Sequence, residues 1–212
     1  MATPAARRAP QPERYEEVKQ SLPLLAWTPE SWARLAAQAL PTFLADHASC
    51  EQQVALYALS LTSYYPEDLE LVTRMAALAA EEVQHFRRVV MILKRRRLPL
   101  AGRRQNPWAK ALRGHIALGR EPWTKVDRLL FGALVEARSC ERFTRLLSVL
   151  EDADVAALLE DLGPAEKRHW ELFYRLACRE MKEEAVARRW QGWLEFEREL
   201  ARSLGVAPTV HG

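Results

Sequence analysis

An all-α fold follows from three features of the 212-residue chain. Apolar residues recur every three or four positions, alternating apolar and polar runs are almost absent, and Ala, Leu, Arg and Glu dominate. At 49% hydrophobic and 28% charged residues, the chain has the balance of one globular domain with a substantial core. Residues 1–20, rich in Ala, Pro and Arg, read as a flexible arm ahead of a single domain over 21–205, and 206–212 read as a tail. A first long helix runs from about Pro29 to Tyr65; Pro41 is a point of interruption and Pro66 forces a stop. A second covers about Glu67 to Arg97 and is stopped by Pro99 and Gly102. Pro99, Gly102, Pro107, Gly114, Gly119 and Pro122 are too many breakers for one helix, so this stretch is a long crossover in which Asn106 and Pro107 can cap a short helix. A third helix spans about Thr124 to Leu150, a turn falls near Glu151 to Asp154, and a fourth helix continues to about Met181. A last amphipathic helix, about Glu183 to Leu204, ends at Gly205.

Several function classes drop out at this stage. No segment approaches the roughly 18 uninterrupted apolar residues of a membrane span, and the start lacks the apolar stretch of a secretory signal, so the cytoplasm is the expected location. Cys50, Cys140 and Cys178 are an odd number at wide spacing, which describes neither a disulfide framework nor a zinc ribbon; they read as reduced thiols. A net charge of +3 is only mildly basic, so an anionic partner must be argued from where the charges lie.

Two helical hairpins joined by one long crossover, with additional N- and C-terminal helices, is the layout of a ferritin-like four-helix bundle. Glu51 lies 15 residues before Pro66 and Glu82 lies 16 after it, so the two carboxylates return to nearly the same height. The second hairpin repeats the pattern. Glu136 and Glu166 each lie about 15 residues from the turn at Glu151, and His169 follows Glu166 by three as His85 follows Glu82. From one half to the other the separations are 85, 84 and 84 residues. All six residues fall on or beside the apolar stripe of their helix, so each helix buries a carboxylate. Four such groups in an apolar core need protons, arginines or bound cations to neutralise them. A dinuclear metal site does so economically: each Glu-x-x-His pair offers an oxygen and a nitrogen ligand one turn apart, and the other two glutamates bridge or terminate the ions. Carboxylate and imidazole without thiolate favour iron or manganese over structural zinc.

The strings "DHASCEQQVALYALSL", "AAEEVQHF", "LVEARSCERF" and "AEKRHWELF" resemble the four ligand segments of the MiaE family of tRNA hydroxylases, over about residues 30 to 180. The resemblance implies a ferritin-like di-iron enzyme with Glu51, Glu82, His85, Glu136, Glu166 and His169 as iron ligands, the same six residues that the spacing selects. It further implies two iron ions and dioxygen as co-substrate. The implied reaction is hydroxylation of the isopentenyl side chain of a methylthio-isopentenyl-adenosine beside the tRNA anticodon, making the anticodon stem-loop the partner. One departure stands out: Gly163-Pro164 directly precedes the last ligand pair, and Pro164 cannot donate to the carbonyl of Glu160, which predicts a kink or bulge. With neither a Gly-rich nucleotide loop nor cysteine ligands for a second redox centre, electrons are expected from an external donor, a reductase or ferredoxin-like protein.

Other residues weigh toward ordinary roles. Glu81 reads as outer-face and solvated, Glu141 sits one position off the inner stripe, and His47 lies one turn before Glu51 as a core or supporting residue. Cys50, Cys140 and Tyr57 read as packing. From Val83 to Arg120 there is no Asp or Glu but eleven Lys or Arg, including Arg95, Arg96, Arg97, Arg103 and Arg104, the candidate RNA contacts. Trp108 and Trp123 flank the second half of this tract as stacking or core residues. Two alternatives stay open: a ferritin-like di-iron oxidase acting on iron or a small molecule, and a metal-free helical nucleic-acid-binding module whose inward glutamates pair with arginines.

Overall fold

The computed structural model describes residues 12–100, 102 and 106–211. Eight helices follow in order: α1 (Pro12–Ser21), α2 (Glu30–Gln38), α3 (Leu40–Tyr64), α4 (Leu69–Arg96), α5 (Pro107–Gly114), α6 (Trp123–Leu147), α7 (Ala153–Glu180) and α8 (Glu183–Ser203). Helices α3 and α4 form one antiparallel hairpin and α6 and α7 the other, with α4 packed on α7. Together they make the ferritin-like bundle. Helices α1 and α2 lie on α6, while α8 packs across α5, α6 and α7. No helix of the described residues is long and apolar enough to cross a membrane.

The chain stops and starts where its local chemistry requires. Asp68, Asn106 and Asp152 each cap a helix by accepting from the backbone N–H three residues on. The first long helix is split at Ala39, with Pro41 in the opening turn of α3, because a proline has no N–H to donate back into α2. By contrast α7 runs on through Pro164. The Glu160 carbonyl, which Pro164 cannot serve, accepts from the Arg14 guanidinium at 3.4 Å.

That contact belongs to an element absent from the sequence reading. Where residues 1–20 read as an arm, 12–21 form α1, and Tyr15 is buried with its hydroxyl donating to Glu141 at 2.5 Å. Residues 1–11 lie outside the described residues. The reason α1 is held is the buried Glu141 carboxylate, which also accepts from the Thr28 amide at 2.9 Å, the Thr28 hydroxyl at 2.6 Å and Arg138 at 2.9 Å. Arg138 in turn grips Glu197 of α8 through both Nε and Nη2. The segment after α8 is likewise no loose tail: Val210 is fully buried, and Thr209 and Val210 are bonded to Trp32, Arg142 and Asp46.

Buried apolar side chains fall into two clusters, one around Leu61, Met75, Leu129 and Phe173, the other around Phe43, Val89, Phe143 and Leu162. The inward glutamates mark the boundary between them. Close approach of α6 and α7 depends on Gly132, where a Cβ would stand 2.7 Å from the Phe173 ring. This contact sits one turn from Glu136 and two turns from Glu166, so it sets the spacing at which those carboxylates meet.

A second buried charge ties α8 to the bundle. Asp127 accepts from Arg189 Nε and Nη2 at 2.7 and 2.6 Å, from Trp193 Nε1 at 3.0 Å and from the Ala117 amide at 2.8 Å. Burial pushes its carboxyl up, and these donors more than offset burial, holding it below the usual carboxylate range. A folded-state pKa below the unfolded one contributes stability above about pH 4 that is lost as pH falls through the folded value. Asp127→Asn is expected to cost about 2–4 kcal/mol at pH 7. Urea unfolding of both proteins at pH 7 and pH 3 checks this, since the difference should narrow in acid.

Candidate metal centre

Each hairpin brings its two carboxylates to one level, and the bundle brings the hairpins together. One ligand atom each from Glu51, Glu82, His85 and Glu166 lies within 4.8 Å of the others, and the same holds for Glu82, Glu136, Glu166 and His169. All six sequence-selected residues are therefore in one place, and all are buried. Glu82 and Glu166 belong to both groups. The glutamates of the two Glu-x-x-His pairs occupy the shared middle, while Glu51 with His85 and Glu136 with His169 stand at the two ends.

The donor atoms lack protein partners. Both oxygens of Glu82, both of Glu136, Glu166 Oε1, His85 Nδ1 and His169 Nδ1 are buried without a hydrogen bond. His85 Nδ1 stands 3.5–3.7 Å from Glu51, Glu82 and Glu166, and His169 Nδ1 is 2.7 Å from Glu82 Oε1. Orphaned buried carboxylates cost several kcal/mol each, so the arrangement needs protons or bound cations among them. Electrostatics agree. Burial and the neighbouring carboxylates hold Glu136 well above its ordinary value and raise Glu82 as well. Burial disfavours the imidazolium forms, but the surrounding carboxylates hold His85 up to about 11 and His169 to about 9. Two quartets of carboxylate oxygen and imidazole nitrogen donors, sharing Glu82 and Glu166, fit a pair of divalent metal ions.

Supporting contacts differ at the two ends. His47, fully buried, bonds Glu51 through Nε2; burial and Glu166 push Glu51 up, and His47 and His85 more than offset this, taking it down to about 2. Glu81 is 53% exposed, as an outer-face residue should be, yet its carboxylate accepts from His169 Nε2 at 3.0 Å. A carboxylate only accepts, so that nitrogen carries the proton, and Nδ1 is the nitrogen turned toward Glu82. The sequence reading missed this role because the partner comes from another helix. Ala165 precedes Glu166 where Glu81 precedes Glu82, so His85 has no matching carboxylate. Glu141, the rival to Glu136, is committed to Arg138, Thr28 and Tyr15 and takes no part.

A cleft enclosing about 440 Å³, mouth included, reaches Glu136 from the side of α3, α5 and α6. Val54, Tyr57, Trp108, Phe131 and Val135 make its wall apolar, and Asn106 and Arg113 add polar groups. The candidate RNA contacts lie elsewhere or beyond description. Arg96 donates to Asp152 at 2.7 Å, Arg95 stands 3.7 Å from Asp154, and Arg97 is the left-handed residue that ends α4. Arg103 and Arg104 lie outside the described residues. Trp108 is buried with one face stacked on His211, so it belongs to the cleft wall and is not an exposed stacking platform.

Several known proteins resemble this chain. The sequence model of the family described as tRNA-(MS[2]IO[6]A)-hydroxylase (MiaE) matches residues 16–212. A Pseudomonas putida protein named tRNA 2-(methylsulfanyl)-N(6)-isopentenyladenosine(37) hydroxylase is 37% identical over 161 residues, covering 76% of this chain and 78% of its own. A Salmonella typhimurium protein of the same name is 29% identical over 214 residues, covering 76% and 77%. Among solved structures, a Synechococcus protein described as having aldehyde deformylating oxygenase activity superposes with a TM-score of 0.85 at 29% identity, covering 89% of this chain and 95% of its own.

Removing the Glu81 charge should loosen the metal at the His169 end alone. Glu81→Gln is expected to weaken one of two binding steps by about 10- to 100-fold. Competition titration with a chelator resolves the steps, and Glu70→Gln, which removes a surface pair with Arg74, should leave both unchanged.

Proposed function

The chain belongs to the MiaE family, and from that premise we propose that it hydroxylates the isopentenyl group of 2-(methylsulfanyl)-N(6)-isopentenyladenosine beside the tRNA anticodon, using dioxygen and two iron ions. Glu51, Glu82, His85, Glu136, Glu166 and His169 would hold the ions. When bound there, iron supplies from dioxygen the oxidising power that an unactivated C–H bond requires. The protein's own residues do the rest. The observation that carries the reading is the apolar cleft ending at Glu136: its walls take a branched five-carbon chain and exclude water from the reacting carbon. Tyr57, whose hydroxyl donates to the Arg128 carbonyl at 2.6 Å and whose pKa burial pushes far up, stays protonated and acts as wall. Electrons come from a separate reductase or ferredoxin-like protein, since among the described residues no cysteine cluster offers ligands for a second redox centre. The cytoplasm, where tRNA is modified, is the location that suits this substrate.

The cleft also bears on where the RNA lies. It leads from Glu136 toward Tyr57 and Phe131, that is, toward the start of α6, whereas Arg95, Arg96 and Arg97 lie roughly 15–20 Å along the axis in the other direction. Arg113 lines the cleft, and Arg128 stacks 3.8 Å over the exposed Tyr64 at the same end. Backbone contacts therefore belong to Arg113 and Arg128, with Arg103 and Arg104 nearby in sequence. The alternative, an oxygenase of a small apolar molecule, draws on the same cleft and on the Synechococcus likeness.

Iron-loaded protein with a chemical or enzymatic reductant should convert tRNA bearing the modified adenosine to a nucleoside heavier by one oxygen, at about two iron atoms per chain. Mass spectrometry of the digest decides; an unchanged nucleoside alongside turnover of a long-chain aldehyde favours the alternative. For docking, Arg113→Gln with Arg128→Gln should reduce the salt slope of tRNA binding by about two, whereas Arg95→Gln with Arg96→Gln leaves it nearly unchanged. Affinity measured across a salt series distinguishes the two faces.

A further inference from the structure

The segment after α8 ends beside the metal level. Its last described residue, His211, is 3% exposed and lines the cleft together with Cys50, Trp108, Val135 and Glu136. The imidazole lies flat on the Trp108 indole, with ring centres 4.8 Å apart and planes 5° off parallel. Its two nitrogens reach both long hairpins. Nδ1 is 3.7 Å from Cys50 Sγ on α3, next to Glu51, and Nε2 shares a 3.1 Å hydrogen bond with Ser139 on α6, one turn from Glu136.

The backbone leading to it is anchored at several points. Asp46 accepts from the Val210 amide at 2.7 Å, Arg142 donates to the Thr209 and Val210 carbonyls at 3.2 and 2.8 Å, and Trp32 Nε1 donates to Thr209 O at 3.1 Å. Holding such a segment costs backbone entropy, which the anchors offset. Trp108 is fixed from its other side, its Nε1 donating to Glu197 at 3.3 Å. The stacked pair is thus a rigid panel between the core and the cleft.

We propose that His211 is a positioning and specificity-determining residue: with Trp108 it forms the panel against which the substrate's branched apolar side chain packs. The proposal rests on the function above and deepens it. Both ring nitrogens face protein groups, so the imidazole's contribution is its flat face and its placement. Truncating it to alanine opens a gap beside Trp108, and the isopentenyl group loses one packed side. Phenylalanine keeps the flat ring and the stack while removing both nitrogens.

The test uses full-length, metal-loaded protein kept free of dioxygen and reductant, so that binding is read apart from turnover. Two anticodon stem-loops, one carrying the isopentenyl-modified adenosine and one carrying plain adenosine, are titrated into wild type, His211→Ala and His211→Phe. Wild type should prefer the modified loop. Alanine should cut that preference about tenfold with little change in affinity for the plain loop, and phenylalanine should restore most of it. Circular dichroism and metal stoichiometry of each variant, expected to match wild type, separate positioning from general collapse. Full preference in the alanine variant, or an equal loss for both loops, overturns the proposal. A wild type that binds neither loop, or both alike, overturns the functional reading itself.

Discussion

Four carboxylates meeting in a buried core, with only imidazoles beside them, is the constraint on which the rest of this structure depends. Each unpaired buried charge costs several kcal/mol against folding, and both oxygens of Glu136 have no hydrogen-bond partner while Glu82 and Glu166 face only imidazoles. A sequence can keep such residues only if something positive joins them and the surrounding helices hold them still. The long helices of both hairpins, the apolar clusters above and below the site, and the Gly132–Phe173 contact all serve that placement. Metal binding and bundle stability are therefore coupled, as binding energy at a preformed site is also folding energy.

Helix α6 makes the point by carrying two kinds of buried glutamate five residues apart. Glu141 is as deeply buried as Glu136, yet it accepts hydrogen bonds from Tyr15, Thr28 and Arg138, and its carboxyl is held below its ordinary value despite burial. Glu136 has no such donors and is held well above. The first is satisfied by the protein and fastens α1 and, through Arg138, α8 to the bundle. The second is left for a ligand. Burial alone does not separate a structural carboxylate from a metal-binding one; the supply of donors does.

Peripheral elements turn the shared bundle into a particular enzyme. A ferritin-like core with two matched Glu-x-x-His hairpins suits several oxidations, as the likeness to an aldehyde deformylating oxygenase illustrates. Helix α5 of the crossover and the segment after α8 close over one side of α3 and α6 and make the cleft wall. Arg138 and Glu197 link that wall back to the core through Trp108. Reaction chemistry sits in the bundle, and substrate choice sits in what is laid upon it.

The sequence by itself determined the helical class, the two hairpins and all six inward residues, because helical periodicity and the near-equal 84- and 85-residue repeats are one-dimensional signals. It determined the family as well, through the four ligand strings. Only the tertiary structure decided which glutamates are shared between the two donor groups, since that depends on how the hairpins face each other. It also decided that Glu81 serves His169, that Arg14 answers the carbonyl left by Pro164, and that residues 12–21 and 206–211 are packed elements of the domain. Arg95 and Arg96, read from charge alone as RNA contacts, stand beside Asp154 and Asp152 at the start of α7, 59 and 56 positions away in sequence. Each of these contacts joins residues on different helices, and no period within one helix encodes a partner on another.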